Sequence, residues 1–446
     1  MMMAKNTSDC GCAQPPSLSR RGVLGRALAV GAGGALASLS GEGLATRLAF
    51  AATPYAGDTL VVLSLRGGFD GLSAVVPAGD PDYYRARPTI GVPKERLIAG
   101  DSMFGLHPAL APLRDLWQAG DLAAIHAVGQ PNPSRSHFQA MEELERAAPG
   151  TSLRTGWLDR TLGLLGATGS FSGVSVGRPL PSRALSGPAP DLSLNSIDAF
   201  KLSGDSPDTR MAAALRDLYT NAPAMMAAPA RAVSDAVTTT TALSATGYVP
   251  ANGAVYPETA LGKAMRDVAR LTKGDVGLMA AYVDFGDWDM HQGLGTAVAG
   301  QRMYDHLADL AAALAAFATD LGQAGMSNVT VLTMSEFGRR VHENGSMGAD
   351  HGNGNAMLLL GGAVRGNKVY GDWPGLAANR LVAGDLAATT DYRAVIGEIL
   401  QRRCGVTDLA GVFPGVKASA FGLVDARPQI ATPAAVKKKP TATGSR

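Results

Sequence analysis

This sequence predicts an α/β fold with a mostly parallel central sheet between helices, and three observations predict it. Strand-like runs such as Thr59–Leu65 (TLVVLSL) and Leu122–Val128 (LAAIHAV) are nearly continuously apolar rather than alternating, as in strands buried on both faces. Amphipathic stretches follow such runs repeatedly, with Glu258–Leu271 and Gln301–Leu321 the clearest. Acidic or imidazole side chains stand just past several runs. In an open α/β sheet that pattern lines them along the carboxyl edge, where ligands bind.

The chain has 446 residues, enough for one large domain or two ordinary ones, and its 46% hydrophobic content allows a large core. Lys and Arg number 40 against 38 Asp and Glu, a net charge of +2, so nothing global draws a nucleic-acid partner. Ser19–Leu24 (SRRGVL) is a paired-arginine segment, followed by a mild apolar stretch to Leu39 that Arg26 interrupts, and then by Ala49-Phe50-Ala51. We read residues 1–52 as a twin-arginine export signal cut near Ala51 or Ala52, with the twin-arginine translocase as partner during export. The expected destination is the periplasm or the exterior. No run approaches membrane-spanning length, so no stable span is expected. Cys10 and Cys12 precede the cut and leave Cys404 alone, so the mature chain has no internal disulfide.

The rest reads as one domain, residues 53–426, with a Pro-, Ser- and Ala-rich insertion or cap over about 179–250 that contains a helical piece, 209–219. A disordered tail, 427–446, follows by composition. Within the domain, β-branched Thr59–Leu65 ends in Arg66-Gly67-Gly68-Phe69-Asp70, whose glycines let the backbone turn and place Asp70 at a strand end. Leu110–Gln118 is a helix with Gly120 as its stop. Leu122–Val128 is a second strand, and His126 within it reads as a core histidine. Pro131–Phe138 then leads to a helix, Gln139–Arg146. Ser134 or Ser136 suits its cap, and Ser136-His137 is equally a nucleophile or ligand pair at a helix N-terminus.

Trp157 opens another helix, and Val174–Val176 is a strand. Val276–Val283 is the next strand and runs into Asp284–His291, where Asp287, Asp289 and His291 have spacings that let two donors converge on one metal. Val329–Leu332 ends in Ser335-Glu336-Phe337-Gly338-Arg339, and a glycine-rich loop leads on to Asp350-His351. Met357–Leu360 is a further strand. Thr389–Leu400 is a helix that Thr390 could cap. Carboxylates and imidazoles together call for a divalent metal, Zn, Mn, Fe or Ca, with the histidines weighing against Ca; identity and number are open.

The runs RGGFDGLS (from Arg66), RSHF (from Arg135), DWDMH (from Asp287), SEFGR (from Ser335), GADHG (from Gly348), YGDWPGL (from Tyr370) and TDYRAVIGEIL (from Thr390) resemble a large bacterial family of twin-arginine-exported proteins of unknown function. That family is related to the alkaline phosphatase and sulfatase superfamily. The resemblance spans most of residues 57–424 and implies an alkaline phosphatase-like α/β/α sandwich. It further implies Asp70 as a first ligand, Ser136 as nucleophile, and Asp289 (with Asp287 as rival), His291, Glu336, Asp350 and His351 as ligands. Arg66 or Arg339 would hold substrate oxygens. Glu336 departs from the superfamily by standing where Asp is usual, and Ser136 by preceding a His; no C-x-P-x-R motif is present. The expectation is an exported metal-dependent hydrolase of phosphate or sulfate esters, acting on a small-molecule or glycan ester. The alternative is a non-catalytic metal- or glycan-binding envelope module.

Overall fold

The computed structural model describes residues 55–200, 214, 217–245 and 247–428. The expected export signal, most of the helical piece 209–219, and the chain beyond 428 lie outside the described residues. The strands are β1 (Thr59–Leu65), β2 (Val75–Val76), β3 (Gly105–Leu106), β4 (Leu122–Gly129), β5 (Gly173–Val176), β6 (Asp191–Leu194), β7 (Ala280–Phe285), β8 (Val329–Met334), β9 (Asn355–Leu360), β10 (Val369–Tyr370) and β11 (Thr390–Asp391). The helices used below are α1 (Arg114–Ala119), α2 (His137–Arg146), α3 (Trp157–Leu164), α4 (Ala224–Ala245), α5 (Ala260–Lys273), α6 (Arg302–Met326) and α7 (Tyr392–Ile399).

β1 is central to a nine-stranded sheet of order β10-β4-β9-β8-β1-β7-β5-β6, with β11 also on β4. It pairs in parallel with β7 on one side and β8 on the other, and its whole length is buried. Its side chains alternate between two cores, as strand geometry requires. Val61, Leu63 and Leu65 pack into the core that holds α5 and α6, while Leu60 and Val62 pack into the core that holds α2, α3 and α7. Each fully buried aliphatic of this kind stabilises the fold by roughly 1.5–3 kcal/mol. The result is the expected α/β/α layering with a mostly parallel sheet.

Only β9 runs against its neighbours β4 and β8. This single reversal positions the site. The carboxyl ends of β4, β8, β1, β7 and β5 lie along one edge, and β9 begins at that edge. Residues just before β9, including His351, therefore meet residues just after the parallel strands.

Several boundaries differ from the sequence reading, each for a local reason. Asp191–Leu194, inside the expected insertion, is the main sheet's edge strand, paired in parallel with β5, so the sheet reaches into that segment. The stretch before α1 is a 3-10 turn, Pro108–Leu113, because Pro112 lacks the N–H an α-helix needs there. Gly277, at φ +78°, delays β7, which extends instead to Phe285. Asp391, not Thr390, caps α7 by accepting from Arg393 N. Arg427, placed at the start of the tail, is anchored on Asp58 and Asn328. Gly120, at φ +86°, terminates α1 as read, and His126 is a buried core histidine whose ring burial pushes down to about 4. No described helix is long and apolar enough to cross a membrane.

Candidate metal centre

Three imidazoles meet at the carboxyl edge. His137 is the first residue of α2, held there by the turn after β4. His291 lies in the loop after β7, and His351 lies just before β9. Each ring is fixed through Nδ1 by an acceptor. His137 Nδ1 is 2.8 Å from Glu336 Oε1, His291 Nδ1 is 2.8 Å from Asp350 Oδ1, and His351 Nδ1 is 2.8 Å from the Arg135 carbonyl. Each Nε2 then faces the Asp289 carboxylate, at 3.5, 3.1 and 3.2 Å respectively. His137, Asp289 and His351 offer ligand atoms that all lie within 4.8 Å of one another.

The donor chemistry fits a cation. With Nδ1 protonated toward its acceptor, a neutral imidazole carries a bare lone pair at Nε2. His291 Nε2 and His351 Nε2 are 2.9 Å apart, two lone pairs facing each other unless a positive charge intervenes. His137 Nε2 is buried without a hydrogen-bond partner. An oxygen or carbonyl acceptor behind each ligating ring is the usual support of a metal-binding histidine.

The electrostatics keep the carboxylates ionised. Burial pushes Asp289 up, but the hydrogen bond and charge of the Arg339 guanidinium, with the facing His351 and His291 rings, outweigh it and hold the group at about 2. Burial likewise opposes ionisation of Glu336, and hydrogen bonds led by His137 bring it below its ordinary value. His137 is raised, chiefly by its hydrogen bond to Glu336, against the effect of burial. The glycines allow the close approach. Gly67 sits at φ +118°, and a Cβ there would lie 2.7 Å from Asp289 N. At Gly348 a Cβ would lie 2.2 Å from the His291 backbone.

The structure sorts the expected site residues. Asp289 faces all three Nε2 atoms. Its rival Asp287 is turned away, in a left-handed conformation (φ +67°), toward Arg302 and His306 at 3.5 and 3.6 Å. Asp70 does not face the three Nε2 atoms: it is half of a buried ion pair, with Oδ1 3.0 Å and Oδ2 2.5 Å from the Arg87 guanidinium and Ser73 Oγ donating at 2.6 Å. Burial opposes its ionisation, and Arg87 overcomes it and holds the carboxyl below its usual range.

Glu336 and Asp350 lie behind the rings, at the Nδ1 atoms of His137 and His291. Glu336 accepts from His137, from Gly67 N at 2.9 Å and from Ser335 Oγ at 2.9 Å, so its oxygens are committed. Asp350 holds His291 and accepts from Asn344 at 2.9 Å. Arg339 is buried, and its guanidinium donates to the carbonyls of Gly67, Gly68, Trp288 and Ala349 and to Asp289 at 2.7 Å, so it is tied to the backbone and to Asp289 rather than presented to solvent.

Arg66 is exposed, with Asp284 at 4.0 Å as its ion-pair partner among the described residues. Ser136 is the N-cap residue of α2 but does not cap it. Its own N–H donates to Ser134 Oγ, and Ser134 donates to Gln139, so Ser136 Oγ is exposed and uncommitted among the described residues.

Sequence reading missed Arg87, Ser335 and Gln130. Gln130 is buried and ties Ala140 O of α2 to Glu336 O at 2.9 and 2.7 Å. Nothing local marks Arg87 or Gln130. Ser335, next to Glu336, had adjacency as its one signal.

An α/β sheet with a histidine-rich cluster at its carboxyl edge defines a protein class with a candidate metal site. Residues 117–411 match the family described as "Protein of unknown function (DUF1501)", and the chain belongs to that family. The motif resemblance to a family of unknown function is borne out at that level. No curated protein matches the chain. Among solved structures, the lipoteichoic acid synthase LtaP from Listeria monocytogenes is similar at 9% identity, over 78% of this chain and 77% of that one, with a TM-score of 0.28. A likeness that slight supports no argument.

Proposed function

We propose that this protein is an exported, metal-dependent hydrolase of phosphate or sulfate esters. The observation that carries the metal is the convergence of three imidazoles, each fixed through Nδ1, with Nε2 directed at Asp289. A donor set of imidazoles and one carboxylate favours Zn, Mn or Fe over Ca. When bound, the metal would polarise an ester oxygen and lower the pKa of a nearby hydroxyl or water.

The chain's own residues supply the rest. Ser136 is the nucleophile in this reading, its hydroxyl free at the N-terminus of α2, where unpaired backbone N–H groups favour negative charge. Asp289 and the histidines hold the metal. Glu336, Asp350 and the Arg135 carbonyl keep the rings in one tautomer. Arg66, exposed beside the centre, meets substrate oxygens. The order of motifs, which resembles the alkaline phosphatase and sulfatase superfamily, supports the ester class. Export through the twin-arginine translocase to the periplasm or exterior belongs to the same reading and rests on the paired arginines at Arg20 and Arg21.

A second reading, a non-catalytic metal- or glycan-binding module, is favoured by one observation: Asp70, a ligand in the superfamily pattern, is consumed by Arg87. The test is elemental analysis by mass spectrometry of protein purified without added metal or chelator, beside an Asp289→Ala/His351→Ala variant. A phosphate and sulfate ester screen of wild type and Ser136→Ala accompanies it. Near-stoichiometric metal lost in the double variant, with hydrolysis lost in Ser136→Ala, is the expected result. Metal without hydrolysis in either protein selects the binding module, and no metal uptake by folded protein ends the hydrolase reading and leaves a glycan-binding module.

A further inference from the structure

Two pairs of arginines flank the candidate metal centre, each gathered on one aspartate. Arg66 and Arg178, which follow β1 and β5, converge on Oδ2 of Asp284, with Arg178 Nη1 at 2.6 Å and Arg66 Nη1 at 4.0 Å. Arg135 and Arg340 converge on Asp385, with Arg135 Nε 3.2 Å from Oδ2 and Arg340 Nε 3.5 Å from Oδ1. Each pair leaves one positive charge in excess. The side chains of Arg66, Arg135 and Arg340 are 44%, 44% and 39% exposed, whereas Asp385 is 5% exposed. Asp385, with the Ala383 carbonyl that accepts from Arg135 and Arg340 at 3.4 and 3.0 Å, holds two forks side by side, and Asp284 holds Arg178 with Arg66 standing at 4.0 Å, while guanidinium donors remain in solvent. That is a pre-organised receptor for an oxyanion, since a guanidinium matches phosphate and sulfate geometry.

One or both members of each pair are tied to the centre through the main chain. The Arg66 carbonyl accepts from Trp288 N, beside Asp289, at 3.2 Å, and Gly67 N donates to Glu336. The Arg135 carbonyl holds His351, and Arg340 N donates to Asp350 O at 2.9 Å. β1 and β4, which deliver Arg66 and Arg135, stand three positions apart in the sheet. At the usual strand spacing that is roughly 14 Å.

We propose that the Arg66–Arg178 and Arg135–Arg340 pairs are two anion subsites that seat successive phosphate or sulfate groups of a glycan chain on either side of the metal centre. The substrate class is then a polyanionic glycan rather than a small monoester. A nucleic acid fits less well. The chain's net charge is only +2, each pair is half neutralised, and among the described residues Phe138, 88% exposed, is the single exposed aromatic, not a stacking series.

The proposal rests on the ester-hydrolase reading for the role of the centre, and the subsites are tested without the metal. Fluorescence anisotropy of a labelled heparin hexasaccharide is measured with chelator-treated protein at low salt. Wild type is compared with Arg66→Gln/Arg178→Gln, with Arg135→Gln/Arg340→Gln, and with all four changes together, each checked by thermal melting. Each double variant is expected to bind at least tenfold more weakly, and the fourfold variant not measurably. Affinities equal to wild type in folded variants, absence of binding by wild type, or a single-stranded 12-mer DNA bound as tightly as the hexasaccharide would each overturn the proposal. Metal uptake, read separately on the same proteins, bears on the hydrolase reading alone.

Discussion

Replacing Asp70 by Ala separates a ligand from an ion-pair partner. The Arg87 guanidinium is fully buried, and so, to within 3%, is the Asp70 side chain. Truncating one partner of such a pair leaves a buried charge uncompensated, at a cost of about 3–5 kcal/mol. Arg87 would keep the Val341 and Arg340 carbonyls and Ser73 Oγ, at 3.0, 2.9 and 3.1 Å, which argues for the lower part of that range. With an unfolding entropy of roughly 2.1 cal/mol/K per residue over about 370 residues, a loss of about 3–4 kcal/mol lowers Tm by about 4–5 °C. Metal content should not change.

The pH dependence follows from the sign of the shift. Asp70 is depressed in the folded protein, so its stabilisation is present above the unfolded carboxyl value, about 4. It is lost as pH falls through the lower folded value. The wild-type and Asp70→Ala melting temperatures should therefore differ at neutral pH and converge in acid. A further Arg87→Met change should recover part of the loss, because it removes the stranded charge. The assay is thermal melting across pH with elemental analysis alongside. Loss of metal from Asp70→Ala at an unchanged melting temperature would refute the ion-pair account and restore Asp70 as a ligand.

Two further outcomes test the support of the centre. Glu336→Gln weakens the anchor on His137 Nδ1 and should reduce metal affinity about 10- to 100-fold in competition with a chromophoric chelator, because outer supports of ligating histidines act at that scale; an unchanged affinity would mean that Glu336 does not orient the ring. Gly67→Ala places a Cβ 2.7 Å from Asp289 N at φ +118°. It should cost on the order of 1–3 kcal/mol in thermal melting and lower metal content by shifting Asp289, and a neutral outcome in both would show that the turn relaxes freely.

Much of the fold was legible because strand burial writes itself into composition. Thr59–Leu65 and Val329–Met334 face two cores at once, so both runs are apolar throughout. The site was legible as a set of strand ends, but the roles within it were not. Asp70, Glu336 and Asp350 look alike in a sequence: each is an acid in a turn after or near a strand. Asp70 turned inward because Arg87, from a segment with no periodic signal, enters the core beside it. Glu336 lies behind the cluster because His137, far away in the chain, places Nδ1 against it. Asp287 and Asp289, two residues apart, were separated only by a left-handed backbone at Asp287. Arg339 was expected, as the alternative to Arg66, to hold substrate oxygens, and its position under the Gly67-Gly68 turn engages donors with backbone carbonyls.

The sequence by itself determined the class of fold, the central strands, the edge on which chemistry collects, and the residue types that could bind a cation there. These follow from local burial and from the rule that an open parallel sheet presents its carboxyl ends together. Only the tertiary structure decided which donors point at the centre and which stand behind them. That choice depends on partners hundreds of residues apart and on the reversed strand β9, which brings His351 to the same edge as His137 and Asp289. No local pattern encodes it, because hydrogen-bond direction and burial are properties of the packed assembly rather than of any one segment.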